Sequence, residues 1–155
     1  MNIAELITLI NLESNEILDD RAEYIPYINA AIDYMSWLLV QAKDAEVIKS
    51  AVIKDGSIVP SNFVAFVPKD GYPVTIFNGS FSTYCGKDVN CYYGICKNHV
   101  ANEDDLVPFS DQYVFSLVQI ISFLVKKKSL MLDYANFDKG FIGDVMQNLA
   151  NAKGG

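Results

Sequence analysis

FSDQYVFSLVQIISFLVKKK, residues 109–128, is the most apolar stretch of the chain and carries signals for where a helix begins and stops. Pro108 precedes it, and Ser110 is placed to accept a hydrogen bond from a first-turn amide that would otherwise lack a partner. Phe109 and Val114 stand at the spacing of a hydrophobic staple over the helix entrance. Asp111 falls at the positive end of the helix dipole and Lys126, Lys127 and Lys128 near the negative end, which predicts a helix from about 110 to 128. Val114, Leu117, Val118, Ile121, Leu124 and Val125 form one stripe at helical spacing, and Phe115 and Ile120 widen it. A membrane span needs roughly 18 uninterrupted apolar residues. This run is shorter and is broken by Ser116, Gln119 and Ser122. The stretch therefore reads as a central core helix covered on most sides, and no membrane segment is expected.

Working outward toward the N-terminus, Asn2 and Glu5 have the spacing of a capping box, and Ile3, Leu6, Ile7 and Ile10 make the buried stripe of a short helix ending near Asn11 or Leu12. A polar connection ends in Asp19 and Asp20. A second helix then runs from between Arg21 and Pro26 to Ala42 or Lys43, with the proline in its first turn. Ile28, Ala31, Ile32, Met35, Leu38, Leu39 and Ala42 recur on its buried side, flanked by Tyr27, Tyr34 and Trp37. From about Glu46 the period changes to alternation, with turn residues at Asp55-Gly56, Asp70-Gly71, Asn78-Gly79 and Gly86. The β-type runs are 47–53, 63–67, 74–77, 81–84 and 91–97. Asn78-Gly79 gives the strongest hairpin signal, because both residues accept the positive φ of a type I′ turn. After the central helix, a last helix is expected over 133–151 with Phe137, Phe141, Ile142, Val145, Met146 and Leu149 on its apolar side and a kink at Gly140 and Gly143. The end, NAKGG, has nothing to bury and reads as a flexible tail. The fold class is α+β. A helical core of about four helices (1–45 and 108–150) is interrupted between helices two and three by an antiparallel β-rich insertion (46–107). Residues 1–150 then form one domain, followed by the tail 151–155.

The 155 residues include 19 acidic and 12 basic ones, a net charge of −7, and Arg21 is the only arginine. That composition argues against binding along nucleic-acid backbones, which requires clustered cations. Cys85, Cys91 and Cys96 are an odd number, and MNIAELITLI lacks the basic start and cleavage site of a secretory signal, so the thiols are expected reduced and the protein made in a cytoplasm. Half the residues are apolar and the mean hydropathy is +0.17, which suggests surface buried against other chains.

No constellation of residues outweighs a plain structural reading. Cys85, Cys91, Cys96 and His99 lack the close ligand pairs of a zinc site, and Cys91 and Cys96, an odd number apart on one strand, would face opposite ways. No metal and no cofactor is expected. His99 lies in a polar loop without a nucleophile turn nearby and reads as solvated. Glu13, Glu16, Asp19 and Asp20, and Glu103, Asp104 and Asp105, lack the alternation of a calcium loop and precede helices, where carboxylates complement the dipole. No catalytic residue is assigned.

The order of elements is informative. A short helix is followed by DDRAEYIPYINAAIDYMSWLL, then an insertion containing SIVPSNFVAFV, then DDLVPFSDQYVFSLVQIISFLVKKKSL. This resembles the head-to-tail adaptor proteins, also called connector or tail-tube ring proteins, of short-tailed bacteriophages. In those proteins a helical core of similar order carries a β-rich insertion, and a proline, aromatic, polar, tyrosine segment opens the main core helix. Here that segment is Pro108 to Tyr113, and Tyr27 to Ile32 corresponds in helix two. The chain departs from the family in its single arginine and its tyrosine-rich insert. The resemblance implies a virion protein of the neck or tail with no catalytic role, made in the host cytoplasm. Its copies would form a ring, twelvefold in that family, between the portal protein and the tail nozzle, and DNA would pass through without specific binding. Tyr27, Tyr34 and Trp37 would suit subunit contacts, Asn78 and Gly79 a contact with the tail or a neighbour, and Lys153, Gly154 and Gly155 the portal. An acidic channel wall lets DNA slide. The alternatives are a small acidic inhibitor or immunity protein that binds a basic partner, and a hydrolase using the carboxylates between Glu13 and Asp20.

Overall fold

Asn2 starts the first helix as its sequence dictates. Its Oδ1 accepts from the Glu5 N–H and the Glu5 carboxylate accepts from the Asn2 N–H, both at 2.9 Å, a complete capping box. The structure is a computed structural model that describes residues 1–15, 18–130 and 145–151. The N–H groups of Ile3 and Ala4, which no capping side chain reaches, donate to the carbonyls of Asp105 and Glu103. The first helix, α1 (Ile3–Ser14), is thereby tied to the segment leading into the central helix. It runs past the expected end because Asn15, in the left-handed region at φ 58°, closes it with an N–H bond to the Asn11 carbonyl.

Asp20 caps a 3-10 turn, Arg21–Glu23, that leads into α2 (Tyr24–Gln41), with Pro26 in its first turn. The helix stops in a Schellman arrangement. Lys43 takes φ 55°, its N–H donates to the Val40 carbonyl, and the Asp44 N–H reaches the Leu39 carbonyl. The central helix α3 (Val114–Leu130) follows a 3-10 turn, Asp111–Tyr113. Ser110 has the extended backbone of a cap, yet its side chain makes no capping bond. The Tyr113 N–H donates to the Ser110 carbonyl instead.

The chain makes two compact units, one comprising Met1–Met35 with the residues from Asn98 onward, the other Ser36–Lys97. In the first unit α1 packs on α3. Ile3, Leu6, Ile7 and Ile10 of α1, Tyr24, Ile28, Ile32 and Met35 of α2, and Leu117, Ile120, Ile121 and Val125 of α3 are buried. Residues 145–151 are helical, with Val145 and Leu149 buried and Asn148 Nδ2 donating to Gln119 Oε1 of α3 at 2.7 Å. Phe115, expected to widen the buried stripe, is exposed, while Gln119 one turn further on is half-buried under Asn148. The part of the predicted last helix carrying Phe137, Gly140, Phe141, Ile142 and Gly143 lies outside the described residues.

The second unit is the β insertion. β1 (Ile48–Ile53), β5 (Val89–Ile95) and β2 (Phe63–Phe66) form an antiparallel sheet with β5 central, and β3 (Val74–Phe77) and β4 (Ser80–Thr83) form a separate hairpin. The turn between them is the predicted one, with Asn78 at φ 49° and Gly79 at φ 74°. Phe81 of the hairpin packs with Ile53 and Cys91 on the inner face of the sheet. Phe63 joins them, its ring 5.1 Å from Phe66 and 5.6 Å from Phe81. β5 begins and ends two residues earlier than expected, so Cys96 lies beyond the strand and the argument from opposite faces does not apply to it. On the outer face, Ile48, Ser50 and Val52 pair with Gly94, Tyr92 and Asn90. At Gly94 the side chain of Val40 comes so close that a Cβ would overlap both of its Cγ atoms. The ends of the unit are joined by Lys97 N–H to Ser36 Oγ at 3.0 Å and Lys97 Nζ to Glu46 Oε1 at 3.7 Å.

Candidate functional site

Three thiols and one histidine are the residues most able to do chemistry, and the fold keeps them apart in role. Cys85 is exposed in a 3-10 turn at φ 55°. Cys91 is buried on β5, where desolvation pushes its thiol pKa up, and Cys96 is half-buried. His99 is not merely solvated, for its Nε2 lies 2.7 Å from Asp33 Oδ1 of α2, with both side chains about half-exposed. Among the described residues no group of His, Cys, Asp and Glu could hold a metal ion. No described helix is long and apolar enough to cross a membrane.

Three residues of the acidic clusters, Asp20, Glu103 and Asp105, act as fasteners. Asp20 Oδ1 accepts from the Ala22 N–H at 3.0 Å, as a cap should. Asp105 does not sit at a helix start. It closes its own loop by accepting from Ala101 and Asn102 N–H at 2.7 and 2.9 Å, and these bonds lower its pKa. Glu103 Oε2 meets Arg21 Nε at 3.0 Å, while Arg21 Nη2 donates to the Ala4 carbonyl at 2.8 Å. The only arginine in the chain thus holds α1 and the 101–105 loop together, a use of its planar fork that a lysine cannot copy. Glu16 lies outside the described residues.

Several large apolar side chains remain on the surface. Of the aromatic residues expected on α2, Tyr27 and Tyr34 are half-buried, and burial raises the Tyr34 pKa. Trp37 is 47% exposed. Asn78 and Gly79 are exposed at the hairpin tip, beside Phe77 and, across an isolated bridge at Ser80, Ile58, both of which are strongly exposed. Lys153, Gly154 and Gly155 lie outside the described residues. Sequence reasoning missed two further surfaces. One is the outer sheet face beyond the reach of Val40, where Val52 and Tyr92 are exposed over a groove of about 520 Å³ that Tyr72 also lines. The Tyr72 hydroxyl accepts from the Tyr92 N–H and donates to the Val67 carbonyl, so this wall is fixed. The other is the outward row of α1, where Leu9 and Leu12 interrupt Glu5 and Glu13. The signal for both was an apolar residue out of phase with its buried stripe.

Charge is divided unevenly between the units. Residues 36–97 hold six lysines against five carboxylates, net +1, and the rest of the sequence holds six basic against fourteen acidic residues, net −8. The arrangement offers surfaces for macromolecular contact, one almost neutral and apolar, the other acidic. Compared with known proteins, the chain matches no family model and no curated protein.

Proposed function

We propose that this chain is a structural virion protein, a head-to-tail adaptor whose copies form a ring, twelvefold by resemblance, beneath the portal of a short-tailed phage. The ring extends the DNA channel and seats the tail nozzle, and the chain has no catalytic role. One observation carries the reading: a helical unit is interrupted between its second and third helices by a small antiparallel β unit, and Pro108, Phe109 and Tyr113 lead into the buried central helix. The exposed Trp37, Tyr92 and Phe77 supply the kind of aromatic surface that subunit interfaces use. The net charge of −7 suits a wall along which DNA slides.

The test is to mix the purified protein with portal rings of short-tailed phages and image the particles by electron microscopy beside portal alone. Added density coaxial with the portal is the expected result. A failure to bind any cognate portal overturns the reading. The concentration of negative charge in the helical unit favours one second reading, a small acidic inhibitor or immunity protein. A stable monomer that captures a basic protein one to one would establish that alternative.

A further inference from the structure

We infer that copies of this chain associate head to tail, the bare outer sheet face of the insertion unit in one copy docking on the acidic outward row of α1 in the next. The inference deepens the ring reading and rests on it only for closure into a ring. On the insertion side, α2 covers the outer sheet face at Gly94, where Val40 contacts it, and leaves the Ser50, Val52, Asn90 and Tyr92 end open. Val52 is 56% and Tyr92 57% exposed over the groove. Exposed Lys54 stands two residues beyond Val52, Lys49 falls in the inner-face register opposite Tyr93, and no strand pairs with the outer edge of β1 among the described residues. On the helical side, Leu9 and Leu12 lie one turn apart on α1, Leu12 being 76% exposed, with Glu5 and Glu13 each four residues from Leu9. The two apolar centres thus lie in units of opposite net charge, +1 and −8, with Lys54 near the one and Glu5 and Glu13 beside the other.

Like surfaces repel here, since two acidic helical units carry the same sign, so a two-fold contact through α1 is disfavoured. A contact between unlike surfaces is heterologous and leaves each copy with one free surface of each kind, which is how rings and filaments grow. The wild-type chain is expected to self-associate at concentrations up to about 1 mM, the weak end of specific affinity. Association should weaken as salt rises from about 0.05 to about 0.5 M, where screening shortens to a few ångströms.

Two surface variants decide the matter by analytical ultracentrifugation, with circular dichroism to verify folding. Tyr92→Glu blocks the sheet face and Leu12→Lys blocks the α1 row. Each alone is expected to stay monomeric, and an equimolar mixture of the two is expected to stop at a dimer, because each retains the surface that the other lacks. Self-association of Leu12→Lys alone would mean a sheet-to-sheet contact and overturn the inference. So would a wild-type chain that remains monomeric at low salt, or a mixture that fails to pair. Portal imaging tests the adaptor reading separately. A chain that passes the mixing test but binds no portal keeps this contact and loses the adaptor role, and a chain that binds portals but fails the mixing test does the reverse.

Discussion

Gly94→Ala tests the close packing of α2 on the sheet of the β unit. Gly94 has no positive φ, so its backbone accepts alanine, and the substitution by itself would stabilise by roughly 0.4–1 kcal/mol through the unfolded chain. The native packing opposes this. A Cβ would overlap both Cγ atoms of Val40 and stand 3.0 Å from its Cβ. Valine in a helix is held to one χ1 rotamer, so it cannot swing aside and the helix must move. Overpacking of this kind costs about 1–3 kcal/mol, which leaves a net loss of about 1–2 kcal/mol after the chain term. Trp37 is the only tryptophan and belongs to the same unit, so its fluorescence in a urea titration reports the change. Val40→Ala removes the obstruction and two buried methyl-sized groups, at about 0.8 kcal/mol each. The double variant should be less destabilised than the sum of the singles, with a coupling of about 1 kcal/mol or more, since the methyl group added at position 94 fills space that the valine side chain vacates. A neutral or stabilising Gly94→Ala, or additivity to within about 0.5 kcal/mol, would refute the reasoning.

Three further predictions concern single sites. Lys43→Gly relieves a left-handed residue at the Schellman end of α2 and should stabilise by about 0.5–1 kcal/mol, read from the denaturation midpoint. The Asp105 pKa is lowered by the Ala101 and Asn102 amides, so its contribution is fully present above the unfolded value, ordinarily 3.8, and is lost as pH falls through the lower folded value. Carbon-detected NMR titration should place the carboxyl below 3.8, and Asp105→Asn should flatten the acid limb of stability. Iodoacetamide at mildly alkaline pH should label exposed Cys85 quickly and leave Cys91 unmodified until the protein unfolds, because burial withholds both access and the thiolate. Peptide mass spectrometry separates the two, and equal rates would contradict the burial of Cys91.

Features written in local chemistry were legible. The Asn2–Glu5 box, the Asn78-Gly79 turn and the stripe of α3 depend on residues no more than a few turns apart, and an α+β fold with the insertion between α2 and α3 follows from them. What escaped depends on partners distant in sequence or on backbone groups that compete with side chains. Ser110 looked like a cap, but Tyr113 N–H had a backbone acceptor within reach. Asp105 looked like a helix-start carboxylate, but the loop amides claimed it first. Arg21 stood out in the sequence only as the single arginine, and its partners Ala4 and Glu103 lie 17 and 82 residues away. The candidate surface was hidden for a related reason. Val52 and Tyr92 belong to an alternating pattern whose outer face a sequence cannot assign, and only the stop of α2 near Gln41 decides how much of that face α2 covers. Lys43 and Asp44 turn the chain there. Had α2 run one or two turns further before stopping, it would have had the length to reach past Gly94 toward Val52 and Tyr92, so the cap that ends the helix also sets the extent of the surface left for another copy.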